Sequence, residues 1–143
     1  YRECGLDDVY LLNGYDTHET PYGSGISVEN VEGLHEAIAM NLVRNKGLLR
    51  KKEVRFIRKL LGWTQADLAR RLRCNVQTVA RWESGKTETN GPADVLIRAF
   101  FLGSRNEDME LLDLAEEVAE LNIVEHPQYF RETKEGWQAS KAA

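Results

Sequence analysis

The sequence is poor in cysteine and contains no long apolar run. Its two cysteines, Cys4 and Cys74, lie far apart, and neither has a second cysteine nearby. This spacing argues against a disulfide framework and favours a reducing, cytoplasmic setting. No apolar segment approaches the roughly 20 residues that a membrane-spanning helix needs. The polar first residues lack the apolar core of a signal peptide, so we expect no secretory signal.

Motifs of enzymes and of metal sites are also missing. Cys4, His18 and His35 are conceivable metal ligands, but no C-x-x-C or H-x-x-x-H pair supports a site. No nucleophile–base pair or phosphate-binding loop is present, and the carboxylates and histidines are scattered along the chain. We therefore expect no catalytic residue, no metal and no cofactor, and we predict that the protein is not an enzyme.

Positive charge is scarce outside the centre of the chain. Residues 44–86 carry 13 Lys and Arg against three Asp and Glu, a net charge of +10. Residues 1–43 carry one against eight, and residues 87–143 carry five against 12, so each flank has a net charge of −7. One interpretation of this pattern is a charged, solvated face that has no binding partner. We favour a centre that faces phosphate, with an affinity that falls steeply with salt.

Two short helices joined by a tight turn are predicted between residues 64 and 85. Thr64 and Asn75 are helix N-cap candidates, because their side chains can accept a hydrogen bond from an otherwise unpaired N–H of the first turn. Gly85 stands where a left-handed residue commonly ends a helix. Apolar residues recur at helical spacing between these points: Leu68, Ala69, Leu72, Val79 and Trp82. Helices joined in this way form a helix-turn-helix, whose second helix lies in the major groove of DNA.

The same stretch resembles the phage-repressor-like (Xre) family. The family pattern, Thr-Gln-x-x-Leu-Ala followed by a tight turn and then Thr-Val-x-x-Trp-Glu-x-Gly, is present without a gap. The resemblance covers Leu49 to about Gly103 and implies a helical DNA-binding bundle. Arg73 departs from the pattern, since the family prefers glycine there. The turn is therefore either slightly strained or uses this arginine on phosphate.

The resemblance and the docking geometry of such motifs together predict the residues that contact DNA. Side chains near the N-terminal end of the second helix reach base edges. The residues predicted to contact bases are Asn75, Val76, Gln77, Thr78 and Arg81. Gln77 suits adenine, Arg81 suits guanine, and Val76 or Thr78 suits a thymine methyl group. The residues predicted to contact phosphate are Thr64, Gln65, Arg73, Lys86 and Thr87.

The resemblance further implies a structural pair of Arg58 with Glu83. This pair would tie the first helix of the bundle to the end of the second helix of the motif. The alternative is that each side chain is a solvated charge. By the same resemblance Trp82 belongs to the core and does not stack on bases.

The flanks are predicted from turn signals and periodicity. The fold class is mainly α: a phage-repressor-like helix-turn-helix bundle (residues 49–103) between a small N-terminal α/β extension (residues 1–48) and an acidic C-terminal segment (residues 104–143). The extension contains strands around two turns, at Asn13-Gly14 and Pro21–Gly25, and then a helix capped by Asn30. The C-terminal segment begins with an amphipathic helix. Its aromatic end, residues 128–138, is either a frayed tail or a strand or hairpin that pairs with the N-terminal strands.

These patterns favour a sequence-specific transcriptional regulator, a dimeric repressor of its own operon that binds double-stranded operator DNA. The layout also resembles MqsA-type antitoxins, which repress their own operon and neutralise a toxin protein. That family holds zinc through paired cysteines in its N-terminal segment, whereas this chain has only Cys4 there. The zinc site is therefore not carried over. The alternative is a protein-interaction module on a helix-turn-helix scaffold that does not bind DNA.

Overall fold

The computed structural model describes residues 1–106, 122–123 and 127–141, which divide into two compact units. One unit combines Tyr1–Ile38 with Glu125–Ala143, and the other is Ala39–Val124. The predicted division into residues 1–48, 49–103 and 104–143 stays a prediction. The acidic helix predicted for residues 107–121 lies outside the described residues. Among the helices described, none is both long and apolar enough to cross a membrane.

The first unit contains a three-stranded sheet made from both ends of the chain. Strand β1 (Val9–Leu11) pairs in parallel with β6 (Gln128–Thr133), and β6 pairs antiparallel with β7 (Gly136–Ser140). Side chains alternate along these strands, as the pleat requires. Phe130 is fully buried on one face, whereas the neighbouring Tyr129 stacks on Tyr10 at 5.4 Å between ring centroids on the other. The strand alternative predicted for the end of the chain is therefore correct.

The second sheet of this unit is a β-hairpin. Strands β2 (Tyr15–Thr20) and β3 (Gly23–Val28) pair antiparallel over six positions across a two-residue turn. This hairpin is the antiparallel arrangement expected near the second turn. The first predicted turn differs, because Asn13-Gly14 joins β1 to β2 without pairing them. Asn13 instead reaches β6, where its side chain accepts from the Glu132 N–H at 2.6 Å and donates to the Glu132 carbonyl at 3.1 Å.

The second unit contains the helical bundle. Helix α1 (Val31–Val43) begins in the first unit and ends in the second. The further helices of the second unit are α2 (Lys51–Leu60), α3 (Gln65–Leu72), α4 (Val76–Ser84) and α5 (Gly91–Arg105). Two short strands, β4 (Asn45–Lys46) and β5 (Asn122–Ile123), pair in parallel. The buried side chains come from every helix: Leu42, Val54, Ile57, Leu68, Val79, Trp82, Ile97 and Phe101 are each at most 4% exposed. Helix α4 packs on both α3 and α2, and α5 packs on α2. The mainly helical fold class and its helix-turn-helix bundle are thus confirmed.

Candidate nucleic-acid interface

Local capping fixes the two helices of the motif. The Thr64 hydroxyl accepts from the Asp67 N–H at 3.1 Å, and the Asp67 carboxylate accepts from the Thr64 N–H at 2.9 Å. This reciprocal capping box satisfies two donors that an uncapped helix end leaves unpaired. Asn75 caps α4 by accepting from the Gln77 N–H at 2.8 Å. The cap uses the amide oxygen of Asn75 and keeps its NH₂ group as a donor.

The turn between α3 and α4 is built on a left-handed arginine. Arg73 has φ 57° and ψ 43°, and it is exposed. The left-handed conformation costs a side chain with a Cβ about 1–2 kcal/mol relative to the right-handed one. The next residue, Cys74, has a free thiol, and burial raises its pKa. The thiol of this turn is therefore protonated at neutral pH.

Helix α4 presents one outward face along its length. Gln77 and Arg81 are exposed, and Ser84 follows one turn later on the same face. Val76 is 42% exposed, although it is an aliphatic residue at the first position of the helix. Thr78 is half-buried, and Val79 and Trp82 point into the core. Four of the five residues predicted to contact bases are thus exposed, and Thr78 is the least accessible.

Glu83 organises the polar side of the motif. The Arg58 guanidinium donates to both of its carboxylate oxygens, from Nε at 2.8 Å and from Nη2 at 2.9 Å. The two side chains are only 11% and 4% exposed, so this bidentate pair is largely desolvated. Gln65 also donates from its amide to Glu83 at 3.2 Å, and Arg58 donates to the Trp63 carbonyl at 2.8 Å. The structure therefore joins a predicted phosphate contact, Gln65, to the predicted structural pair.

An open polar cleft of about 410 Å³ lies beside this network. Its lining includes two side chains that sequence reasoning did not select, Arg55 of α2 and Ser84 of α4. The complete lining is Arg55, Arg58, Gln65, Ala80, Glu83 and Ser84. Helical spacing could have indicated both residues, because residues three, four or seven apart share one face of a helix. Ser84 stands three residues after Arg81 and seven after Gln77, and Arg55 stands three before Arg58.

The segment after α4 holds the remaining predicted phosphate contacts. Gly85 ends α4 with φ 81°, and a Cβ there would lie 2.9 Å from Cδ of Lys51. Lys86 and Thr87 are exposed, whereas Thr89 in the same loop is buried. A second cleft, of about 260 Å³, lies between this loop and the start of α2.

The acidic groups of the basic segment are all engaged. Glu53 pairs with Arg50, Asp67 with Arg70, and Glu83 with Arg58. Hydrogen bonds from the Thr64 backbone and hydroxyl lower the pKa of Asp67, so it is ionised at neutral pH. Several exposed cations form no ion pair within the described residues, among them Arg55, Arg73, Arg81 and Lys86. These cations give the surface around α4 an uncompensated positive charge. No trio of potential metal ligands occurs among the residues described.

Comparison of the sequence with protein-family models gives a match that includes this surface. Residues 54–92 match the family model described as "Helix-turn-helix". This segment is an Xre-like helix-turn-helix. The match begins inside α2, spans α3 and α4, and ends at the start of α5. Curated proteins and solved structures give no match to the chain. The Xre-like helix-turn-helix marks the protein as a DNA-binding regulator, a class that is typically not enzymatic.

Proposed function

We propose that this protein is a sequence-specific transcription regulator that binds operator DNA as a homodimer and represses its own operon. The observation that carries the proposal is the outward face of α4. It combines exposed amide, guanidinium and aliphatic side chains at the end of a recognition helix that reaches base edges. Val76 is an aliphatic group that contact with DNA would cover. We assign base contacts to Asn75, Val76, Gln77, Thr78 and Arg81.

The backbone of the DNA is proposed to lie along the polar cleft beside α4. Arg55 would face phosphate there, with Gln65 and Ser84 as hydrogen-bond donors. Thr64, Arg73, Lys86 and Thr87 would extend these contacts around the recognition helix. Glu83, which is itself held by Arg58, keeps Gln65 in place before DNA arrives, and this reduces the entropy lost on binding.

A homodimer is expected because one recognition helix offers only a small surface to DNA. A single helix in the major groove contacts only a few base pairs, which is too little to select one operator in a genome. Homodimers of such proteins bind half-sites about one helical turn apart. We therefore expect a palindromic operator upstream of the protein's own gene.

The cue for the alternative, a protein-interaction module without DNA binding, would be acidic or bulky residues on the recognition face. The face of α4 instead carries Arg81 and lies within a segment of net charge +10. An antitoxin role with a toxin protein as partner remains a prediction from the layout of the chain. The acidic N-terminal segment supports a protein partner of opposite charge.

Fluorescence anisotropy of labelled duplexes tests the proposal. The chain is titrated into its own upstream DNA and into a scrambled duplex of equal length and composition, at two salt concentrations. We expect tight binding to the native duplex alone, with an affinity that falls as salt rises. Equal binding to both duplexes would remove sequence specificity from the proposal. Absence of binding to both would favour the protein-interaction module.

A further inference from the structure

Within the part of the chain that the structure describes, both outer edges of the β2–β3 hairpin are open. All six residues of β2 are exposed, and the three most protected residues of β3 are only half-buried. Among the described residues no third strand pairs with this sheet. A two-stranded hairpin is only marginally stable in water by itself, and an open edge presents backbone groups to an incoming strand. The hairpin therefore has the backbone geometry of an acceptor for a further strand.

The register identifies which backbone groups face outward. Thr20 and Gly23 flank the two-residue turn, which makes them a hydrogen-bonded pair. Such pairs alternate with non-hydrogen-bonded pairs along the ladder, so Thr17 opposite Ile26 is a non-hydrogen-bonded position. Just beyond the base of the hairpin, the Glu29 N–H donates to the Gly14 carbonyl at 2.9 Å. Gly14 and Glu29 are therefore a hydrogen-bonded pair, as the alternation requires. The N–H groups that face away from β3 are those of Tyr15, Thr17 and Glu19.

The side chains around this edge favour a positively charged partner. The hairpin contains Asp16 and Glu19 but neither Lys nor Arg, and residues 1–43 have a net charge of −7. Tyr15 is 44% exposed, and Tyr22, in the turn, is 99% exposed. Carboxylates and tyrosine rings both attract Lys and Arg side chains. The same charge repels DNA and a second copy of the hairpin.

We propose that the outer edge of β2 binds an extended, basic segment of a partner protein as a third strand. The backbone of the partner pairs with the outward N–H and C=O groups of β2, and its Lys or Arg side chains lie beside Asp16, Glu19 and Tyr15. Backbone pairing supplies affinity in this mode, and alternate side chains supply specificity. The hairpin belongs to the first unit and shares no residue with the recognition helix, so the inference does not depend on the proposed DNA binding.

A selection from a display library of random short peptides, with the full chain as bait, tests this site. We expect the selected peptides to carry a net positive charge. Thr17→Pro removes an outward N–H without removing a bond of the hairpin, because edge positions tolerate proline. This variant should bind synthetic copies of the selected peptides about tenfold more weakly. Thr17→Val keeps the N–H and should bind them like the parent protein.

Three outcomes would overturn the proposal: no enrichment of peptides, enrichment of acidic or neutral peptides, or equal binding by the Thr17→Pro variant. NMR chemical shifts of His18 and Gly25 show whether the hairpin survives the proline. If the hairpin is lost, the variant Asp16→Asn with Glu19→Gln replaces it and must lower the affinity for basic peptides. Operator binding is measured on every variant and should be unchanged. A parent protein that binds peptides but no operator would contradict only the proposed regulator function.

Discussion

Arg98 and Asp94 form an ion pair inside the helical unit, with Nε of Arg98 donating to Oδ2 of Asp94 at 2.9 Å. Asp94 also accepts from the N–H of Leu49 at 2.8 Å. The same guanidinium donates to the Leu42 carbonyl at 2.8 Å, and to the carbonyls of Val43 and Gly47. This buried pair on α5 therefore binds backbone groups at the end of α1 and in the connection between α1 and α2.

Replacement of Arg98 by Met should destabilise the protein by about 3–5 kcal/mol, because it leaves the Asp94 carboxylate buried without its partner. Urea unfolding followed by tryptophan fluorescence measures this loss. Arg105→Met, at the exposed end of the same helix, is the control and should cost about 1 kcal/mol or less. The double replacement Asp94→Leu with Arg98→Met should cost less than Arg98→Met alone. A loss for Arg98→Met no larger than that of the control would contradict the structural role.

Arg73→Gly should raise the free energy of unfolding by about 1 kcal/mol, because glycine adopts the left-handed conformation without a Cβ clash. Arg73→Ala keeps the Cβ and should leave stability nearly unchanged. Both variants lose the same charge, so both should bind operator more weakly and with a shallower salt dependence if Arg73 contacts phosphate. Thermal unfolding and anisotropy at several salt concentrations separate the two effects. Equal stability of the glycine and alanine variants would show that the turn is unstrained.

Gln77→Ala and Arg81→Ala should abolish sequence preference and leave the fold intact. Each lost bidentate contact with a base reduces discrimination by about 1–3 kcal/mol, since such contacts separate the correct base pair from its competitors. The measurement is the ratio of affinities for the native and scrambled duplexes. Lys134→Ala removes one positive charge outside the basic segment and should keep this ratio. Preserved preference in the Gln77→Ala and Arg81→Ala variants would reject these two base contacts.

Gly14→Ala should destabilise the first unit more than Gly5→Ala does. Both glycines have positive φ, 74° and 87°, so each alanine meets the left-handed cost of about 1–2 kcal/mol. At Gly14 the added Cβ would also lie 2.6 Å from the Trp137 ring, whereas at Gly5 nothing lies within 4 Å. Chemical denaturation followed by tryptophan fluorescence compares the two variants. Similar losses would mean that the ring moves aside at little cost.

The capping box at Thr64 should make stability depend on pH. The folded-state pKa of Asp67 is lowered, first by the Thr64 backbone N–H, so the carboxylate stabilises α3 above the unfolded pKa of about 3.9. This contribution is lost as pH falls through the lower folded pKa. The stability difference between the parent protein and Asp67→Asn should therefore shrink in acid. Thr64→Ala tests the other half of the box and should cost about 0.5–2 kcal/mol at neutral pH. A pH-independent difference for Asp67→Asn would contradict the assignment.

Much of the candidate site was predictable because its determinants are local. The caps at Thr64 and Asn75 and the left-handed end at Gly85 depend on a few consecutive residues, and the structure places all three as expected. The polar cleft was less accessible to sequence reasoning. Arg55 and Ser84 belong to different helices, and nothing in their own neighbourhoods indicates that α2 and α4 bring them together.

The sequence by itself determined the Xre-like helix-turn-helix, since helical periodicity and capping are properties of neighbouring residues. It also determined the separation of charge between the basic centre and the acidic flanks. Only the tertiary structure decided that β1 pairs in parallel with β6, across more than a hundred residues of chain, and that Arg98 is buried. Strand partners are set by packing between distant segments, and a charged side chain enters the core only where carbonyls and a carboxylate converge on it.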